Sequence, residues 1–359
     1  MFNYLILIHP LGFMYGSAGG FLSPENLVGR SGSKFPPEAA TLAGLFFAAN
    51  KTQKFTSQEE LRYKLHVAGP FWAKSDEPDD FYVPIPWTKI IADEGTDEWR
   101  IENKKWQRDE NKLDLETDYQ WQNINCWNYS ARNLKKYAVE QVPWKFVPIL
   151  HPRIKDEERC AKEEGGLFLE NAVQMEDDTC LVYLSTHQLP DAWYRFGGEN
   201  HLVEITSLEI SSESFIYELL HQEIKKTFAL ITPGIWGSNQ LSFRYPKHTD
   251  FSIKRPMMLT DRPIPYRYRL GERANSTEQE LEQNQAEINQ NKINQTKTNK
   301  AGRMSRGRYA VPPGSVYVFK EPLNQSWWEW SEEWFPKEGF SLKQLGCNLC
   351  LPLDIEGVE

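Results

Sequence analysis

The residues best suited to chemistry are a short run of cations and hydroxyls, Arg30, Ser31, Ser33 and Lys34, spaced by Gly29 and Gly32 and followed by Phe35-Pro36-Pro37 and a helical pattern. Glycines let backbone N–H groups approach an anion, and a helix N-terminus favours one, so the combination suits phosphate. Pro36 and Pro37 carry no N–H, so side chains must supply part of that contact. A second set lies far along the chain. Arg244, Lys247, His248, Lys254 and Arg255 are interleaved with Phe243, Tyr245 and Phe251. Cations mixed with stackable rings are what a single-stranded nucleic acid needs, phosphates meeting the charges and bases meeting the rings. Arg303, Arg306 and Arg308 add a basic arm ahead of a strand beginning at Tyr309.

Other chemistries find less support. Cys347-Asn348-Leu349-Cys350 has the spacing of half a zinc knuckle, but no second pair exists, and the cysteines read as small core residues of a closing strand. No metal or cofactor is expected. Hydrolase and phosphate-loop signatures are missing: there is no Gly-x-Ser-x-Gly, no His-Glu-x-x-His and no loop ending in Gly-Lys-Ser/Thr. His9 ends an apolar strand beside the glycine-rich loop, where a general base would fit, with no partner evident. Trp87, Trp99, Trp106, Trp121 and Trp127 stand among carboxylates, which raises sugar stacking as an alternative to core and interface packing. Trp327, Trp330 and Trp334 share one face of an expected helix, widened by Trp328 and Phe335, and that face reads as core or interface.

These residues need a frame. Phe2 to Ile8 is almost wholly apolar, the pattern of a central strand buried on both faces. A long loop over Pro10 to Lys34 follows, then a helix opened by Pro36 and Pro37 and running to about Ala49, with Leu42, Leu45, Phe46 and Ala49 at helical spacing. A second helix is expected over Ser57 to His66. Cys180 to Thr186 predicts a strand, Phe196 to Asn200 a tight turn into a strand over His201 to Leu208, and Ser212 the cap of a helix over Glu213 to Lys226. Phe228 to Thr232 predicts the next strand. Tyr309 to Phe319 predicts a strand pair around Pro312-Pro313-Gly314, and Leu345 to Leu353 a final strand. Between Asn275 and Lys300, 11 of 26 residues are Asn or Gln and none is aromatic, so a disordered insertion is expected.

Length and composition agree with that frame. At 359 residues, 40% hydrophobic and 13% aromatic, the chain suits about two domains and is neither a wholly disordered, a collagen-like nor a disulfide-scaffold sequence. The expected units are 1–176, carrying an acidic Trp-rich insertion, and 177–359, carrying the Asn/Gln-rich insertion at 272–305. The net charge of −9 hides an asymmetry: residues 76–123 hold 14 acids and 6 bases, whereas residues 225–273 hold 10 bases and 3 acids. One surface therefore suits a polyanion and another repels it or meets a basic protein. Five irregularly spaced cysteines suit a reducing compartment. No Lys or Arg precedes Arg30, and His9-Pro10 interrupts the apolar opening, so neither a secretory signal nor a membrane span is expected and the chain reads as cytoplasmic.

Four phrases in order carry a family resemblance: Phe35-Pro36-Pro37 with Thr41-Leu42-Ala43-Gly44, Phe196-Gly197-Gly198-Glu199, Leu230-Ile231-Thr232-Pro233-Gly234-Ile235, and Ala310-Val311-Pro312-Pro313-Gly314-Ser315-Val316-Tyr317. In this order the sequence resembles the RAMP-superfamily subunits of type III-B CRISPR (Cmr) effector complexes, specifically those that hold the 5′ handle of the guide RNA. The resemblance implies an α+β fold of two ferredoxin-like (RRM-like) domains with insertions. It also implies a non-catalytic role in an antiviral ribonucleoprotein, with guide RNA, the large polymerase/cyclase-type subunit and the backbone RAMP subunit as partners. By the same resemblance the RNA contacts are Arg30 to Lys34 with Thr41, and the basic track after Thr232-Pro233. The glycine-rich loop often seen near the C-terminus of such proteins is reduced here to Gly339 and Gly346, and the Asn/Gln-rich insertion departs from the family pattern. A RAMP-type endonuclease that processes precursor guide RNA and, behind it, a carbohydrate-binding protein are the alternative readings.

Overall fold

The computed structural model describes residues 1–15, 35–152, 167–197, 200–238, 240–247, 256–270 and 304–358. Its largest element is an eight-stranded sheet. In chain order it uses β1 (Tyr4–Pro10), β2 (Val67–Lys74), β3 (Tyr82–Pro84), β4 (Trp121–Asn123) and β5 (Val139–Glu140). A separate two-stranded ribbon of β6 (Trp144–Pro152) and β7 (Leu167–Met175) follows. The chain then returns to the sheet as β8 (Thr179–Ser185), β9 (Ala192–Phe196) and β10 (His201–Glu209), giving the order β9-β10-β1-β8-β2-β3-β4-β5. The expected boundary at 176/177 falls inside this arrangement: β8 from beyond it pairs with both β1 and β2, so strands from either side share one sheet.

β1 is apolar along most of its length because both of its faces are covered. Ile6 and Ile8 face the helices α1 (Ala39–Gln53) and α2 (Gln58–Lys64), through Leu42, Phe46 and Leu61. Leu5 and Leu7 face the second sheet. α1 starts later than expected and runs further. The residue before a proline avoids the α conformation, so Pro36-Pro37 stays outside the helix, and the Pro37 carbonyl accepts a hydrogen bond from buried Tyr183 at 2.6 Å. At the other end Lys54 takes φ 52° and closes the helix onto the Asn50 carbonyl. α2 is shorter than the expected Ser57 to His66: Ser57 is its cap, accepting from Glu60 N.

A short helix α3 (Ala131–Tyr137) follows the acidic stretch, and α4 (Phe215–His221) precedes the second sheet. α4 is half the expected helix and is capped by Ser214, not Ser212. After it come β11 (Thr227–Leu230), β12 (Trp236–Gly237), β13 (Ser242–Phe243), β14 (Met257–Leu259), β15 (Ile264–Tyr266), β16 (Arg308–Ala310), β17 (Val316–Val318) and β18 (Cys350–Pro352). Four of these form the second sheet in the order β14-β17-β11-β18, all antiparallel. Ranked by sequence within each group, that order is 2-3-1-4, and β2-β8-β1-β10 in the first sheet repeats it. The fold is α+β, mostly antiparallel with few helices.

Two expectations for the C-terminal part change. β16 and β17 do not pair with each other: β16 joins β15, whereas β17 lies between β11 and β14. Gly314, at φ 84°, turns the chain between them so closely that a Cβ there would meet the Ile85 carbonyl at 2.6 Å. The expected tryptophan helix is two 3-10 turns, Trp327–Glu329 and Glu332–Trp334, because Ser326 and Ser331 each begin a new cap and Trp330 is extended between them. Trp327, Trp330 and Trp334 are buried as expected. Lys343 reaches in beneath them and donates to the Trp328 and Trp330 carbonyls at 2.8 and 2.6 Å. Cys347 and Cys350 are buried, and Gly346 packs directly on Ala68 of β2, so what remains of the C-terminal glycine pattern joins the two sheets. No helix among the described residues is long and apolar enough to cross a membrane.

Candidate nucleic-acid interface

Alternation along β16 decides which side chains are available. Arg308 and Ala310 point inward and are buried, whereas Tyr309 between them is 65% exposed. Its backbone N–H donates to Ser242 Oγ at 3.2 Å, which sets β13 beside β16. The segment after β13 then carries Arg244 and Lys247, both exposed, along the same edge. The Lys247 ammonium lies 4.3 Å from the centre of the Phe243 ring, a cation–π contact that orients the charge. Exposed Leu241 completes the rim. Beneath it, Tyr317 donates from its hydroxyl to the Arg244 carbonyl at 2.6 Å and accepts from the Trp236 indole at 3.2 Å. Burial pushes the Tyr317 pKa up, so this prop stays protonated and donating.

A buried polar knot holds the other side of the rim. Glu338 pairs with the Arg308 guanidinium at 2.9 Å and accepts from the Arg306 backbone N–H at 3.2 Å. Ser305 N donates to the Tyr268 carbonyl at 2.8 Å, the Ser305 carbonyl accepts from Arg267 Nε at 2.8 Å, and the Tyr268 hydroxyl donates to the Glu338 carbonyl at 3.0 Å. The knot fixes where the chain enters β16 and leaves the Arg306 side chain exposed. Arg308 is therefore corrected: it is an internal ion-pair partner, since alternation turns it inward and Glu338 neutralises it there.

The expected site residues divide accordingly. Arg244, Lys247 and Arg306 are exposed, the first two in the segment after Ser242, which bonds the Tyr309 N–H, and the third three residues before Tyr309. Thr41 sits half-exposed in the first turn of α1, its N–H bound to the Glu38 carbonyl at 2.8 Å. Arg30, Ser31, Ser33, Lys34, His248, Lys254, Arg255 and Arg303 lie outside the described residues, as does most of the Asn/Gln-rich insertion. Tyr309 itself was missed as a site residue, although strand alternation with small Ala310 on the inward side was a readable signal. His9 is half-buried, with Nδ1 3.5 Å from Ser75 Oγ; burial lowers its pKa and Glu204 partly opposes that. Among the described residues, no group of three or more His, Cys, Asp or Glu side chains is placed to hold a metal ion.

Three tryptophans of the acidic stretch are engaged in packing. Trp127 is fully buried, and the indoles of Trp87, Trp106 and Trp127 donate to the carbonyls of Pro313, Met258 and Pro352 at 3.2, 3.1 and 2.7 Å. They pack the stretch against the second sheet.

No family model matches the chain, and no curated protein matches it. Solved chains from type III CRISPR complexes do. A chain of the type III-B Cmr-beta complex bound to cognate target RNA and AMPPnP is 13% identical over 88% of this chain and 86% of its own, with a TM-score of 0.47. A chain of the Csm1-Csm4 cassette with pppApA is 11% identical over 89% and 87%, at 0.38. A chain of the type III-A Csm3-Csm4 subcomplex is 9% identical over 89% and 94%, at 0.36.

Proposed function

We propose that this chain is a non-catalytic RNA-binding subunit of a type III-B CRISPR effector complex in the cytoplasm, gripping the 5′ handle of the guide RNA and bridging the large subunit to the backbone. The observation that carries the reading is the exposed Tyr309 ring on a strand bonded to Ser242, with exposed Arg244 and Lys247 following Ser242 and exposed Arg306 three residues before Tyr309. Cations there take phosphates and the ring takes a base, while the buried supports prepay the ordering of the site. The repeated 2-3-1-4 strand order supports the assignment of two ferredoxin-like domains, since a split β-α-β arrangement places its strands in that order.

The test is binding of the purified chain to labelled guide RNA with and without its 5′ handle, at two salt concentrations, followed by a denaturing gel. Tight binding that needs the handle, falls with salt and leaves the RNA intact is the expected result, because each neutralised phosphate releases counterions. Metal-independent cleavage would instead establish the endonuclease, and equal affinity with and without the handle would remove the handle-gripping role.

A further inference from the structure

The first sheet has an exposed corner of its own. β9 is its edge strand, and Trp193 on it is 67% exposed. Glu204 of β10 stands directly opposite Trp193, and His9 of β1 stands directly opposite Glu204 on its other side. Directly opposed residues project from one face with Cβ atoms about 5 Å apart, so indole, carboxylate and imidazole form a row across three strands. The next row holds Arg195 and Leu202, with Leu11 tied to it by a 3.3 Å hydrogen bond from its N–H to the Leu202 carbonyl. Arg195, Leu202, Glu204 and Leu11 are all exposed. On the same face of β1, Leu7 already belongs to the core, so the sheet passes from core to solvent at the His9 row.

An exposed indole offers a stacking surface to any base. A carboxylate one strand away accepts only from a base that presents an N–H donor on its edge. Adenine N6, cytosine N4 and guanine N1 and N2 are such donors, whereas uracil presents a single N3–H flanked by two carbonyl oxygens that a carboxylate repels. Arg195 in the adjoining row supplies a cation where the backbone would run. Phe13, two residues beyond Leu11, is 43% exposed.

We propose that this corner is a base pocket for single-stranded RNA: Trp193 stacks one unpaired base, Glu204 accepts from the exocyclic amino group of adenine, cytosine or guanine and so disfavours uracil, and Arg195 holds the neighbouring phosphate. The inference rests on the RNA-binding reading above and adds a base preference to it. Glu204 meets a base edge, so its charge selects the base without facing a phosphate.

The test is equilibrium binding of the full chain to short labelled homopolymers of A, C and U, with Trp193→Ala, Trp193→Phe, Glu204→Gln and, as a reference, Tyr309→Ala. The wild type is expected to favour A and C over U severalfold. Trp193→Ala should weaken A and C by about tenfold, Trp193→Phe should recover most of that, and Glu204→Gln should narrow the preference without lowering the melting temperature. If Tyr309→Ala weakens binding and Trp193→Ala does not, the pocket is overturned and the RNA reading stands. If the wild type binds none of the homopolymers and no guide RNA, both fall. If Trp193→Ala spares RNA affinity but abolishes association with neighbouring subunits, the corner is a protein interface and the proposal is wrong.

Discussion

The acidic stretch from Asp76 to Trp127 and the basic edge around Tyr309 are both rich in aromatic rings set among charges, yet they use those rings in opposite ways. In the acidic stretch, Trp87, Trp106 and Trp127 lend their N–H groups to backbone carbonyls 226, 152 and 225 residues further on. Even its cations turn inward: Lys89 is buried and donates to the Trp127 carbonyl at 2.8 Å, and Arg108 lies 5.6 Å from the Trp99 ring while pairing with Asp97. At the basic edge the supports are buried and the ring and cations above them are exposed. Residue type does not separate brace from binding surface; the destination of each polar atom does. The indole N–H groups of Trp87, Trp106 and Trp127 end on backbone carbonyls and Trp127 is fully buried, whereas Tyr309 is 65% exposed.

The largest effect that sharpens this contrast is expected at Trp127. Trp127→Ala removes a fully buried ring and its hydrogen bond, and should lower unfolding free energy by about 3–5 kcal/mol in denaturant titration. Undiminished stability would mean that the acidic stretch does not brace the second sheet. Arg308 and Arg306 come next, two residues apart and oppositely placed. Arg308→Ala strands Glu338 in a nearly closed site and should cost about 3 kcal/mol, while Arg306→Ala should stay within about 0.5 kcal/mol in the same assay.

Tyr309→Ala inverts the pattern of Trp127. It should leave the melting temperature in place and weaken RNA binding by about 1–3 kcal/mol, measured by fluorescence anisotropy. A variant that unfolds instead would make Tyr309 part of the brace. The last effect is a pH dependence and concerns Lys89, whose pKa burial lowers to about 8, with Glu98 partly opposing. In the unfolded chain it sits near 10.4, so the unfolded state binds more protons between those values and stability rises with pH across that window. Below about 8 the lysine is protonated in both states and the fold carries the full cost of burying its charge. Melting temperatures from pH 8 to 10 should therefore show a rising contribution that Lys89→Met removes.

Much of the frame was legible because its signals are local. The apolar run of β1 and the stripe of Leu42, Leu45, Phe46 and Ala49 each depend on neighbours a few residues away. The errors share a different cause. A domain boundary at 176/177 looked natural because a new strand begins there, but β8 finds its partners in β1 and β2, more than one hundred residues back. The tryptophan-bearing stretch kept helical spacing, yet two serine caps broke it into separate turns. At the interface, the basic track around Arg244 and Lys247 was readable from composition, while the inward turn of Arg308 was not.

By itself, then, the sequence determined which segments are strands and helices, which residues are apolar enough to enter a core, and that cations and rings gather between Arg244 and Tyr309. Only the tertiary structure decided that Arg308 is a buried partner of Glu338, that Tyr309 beside it is a surface ring, and that Trp87, Trp106 and Trp127 bond to carbonyls of the C-terminal part. The physical reason is range. Periodicity and capping are set by contacts within a turn or a strand, whereas burial of a given face depends on pairing with residues hundreds of positions away, which no local pattern encodes.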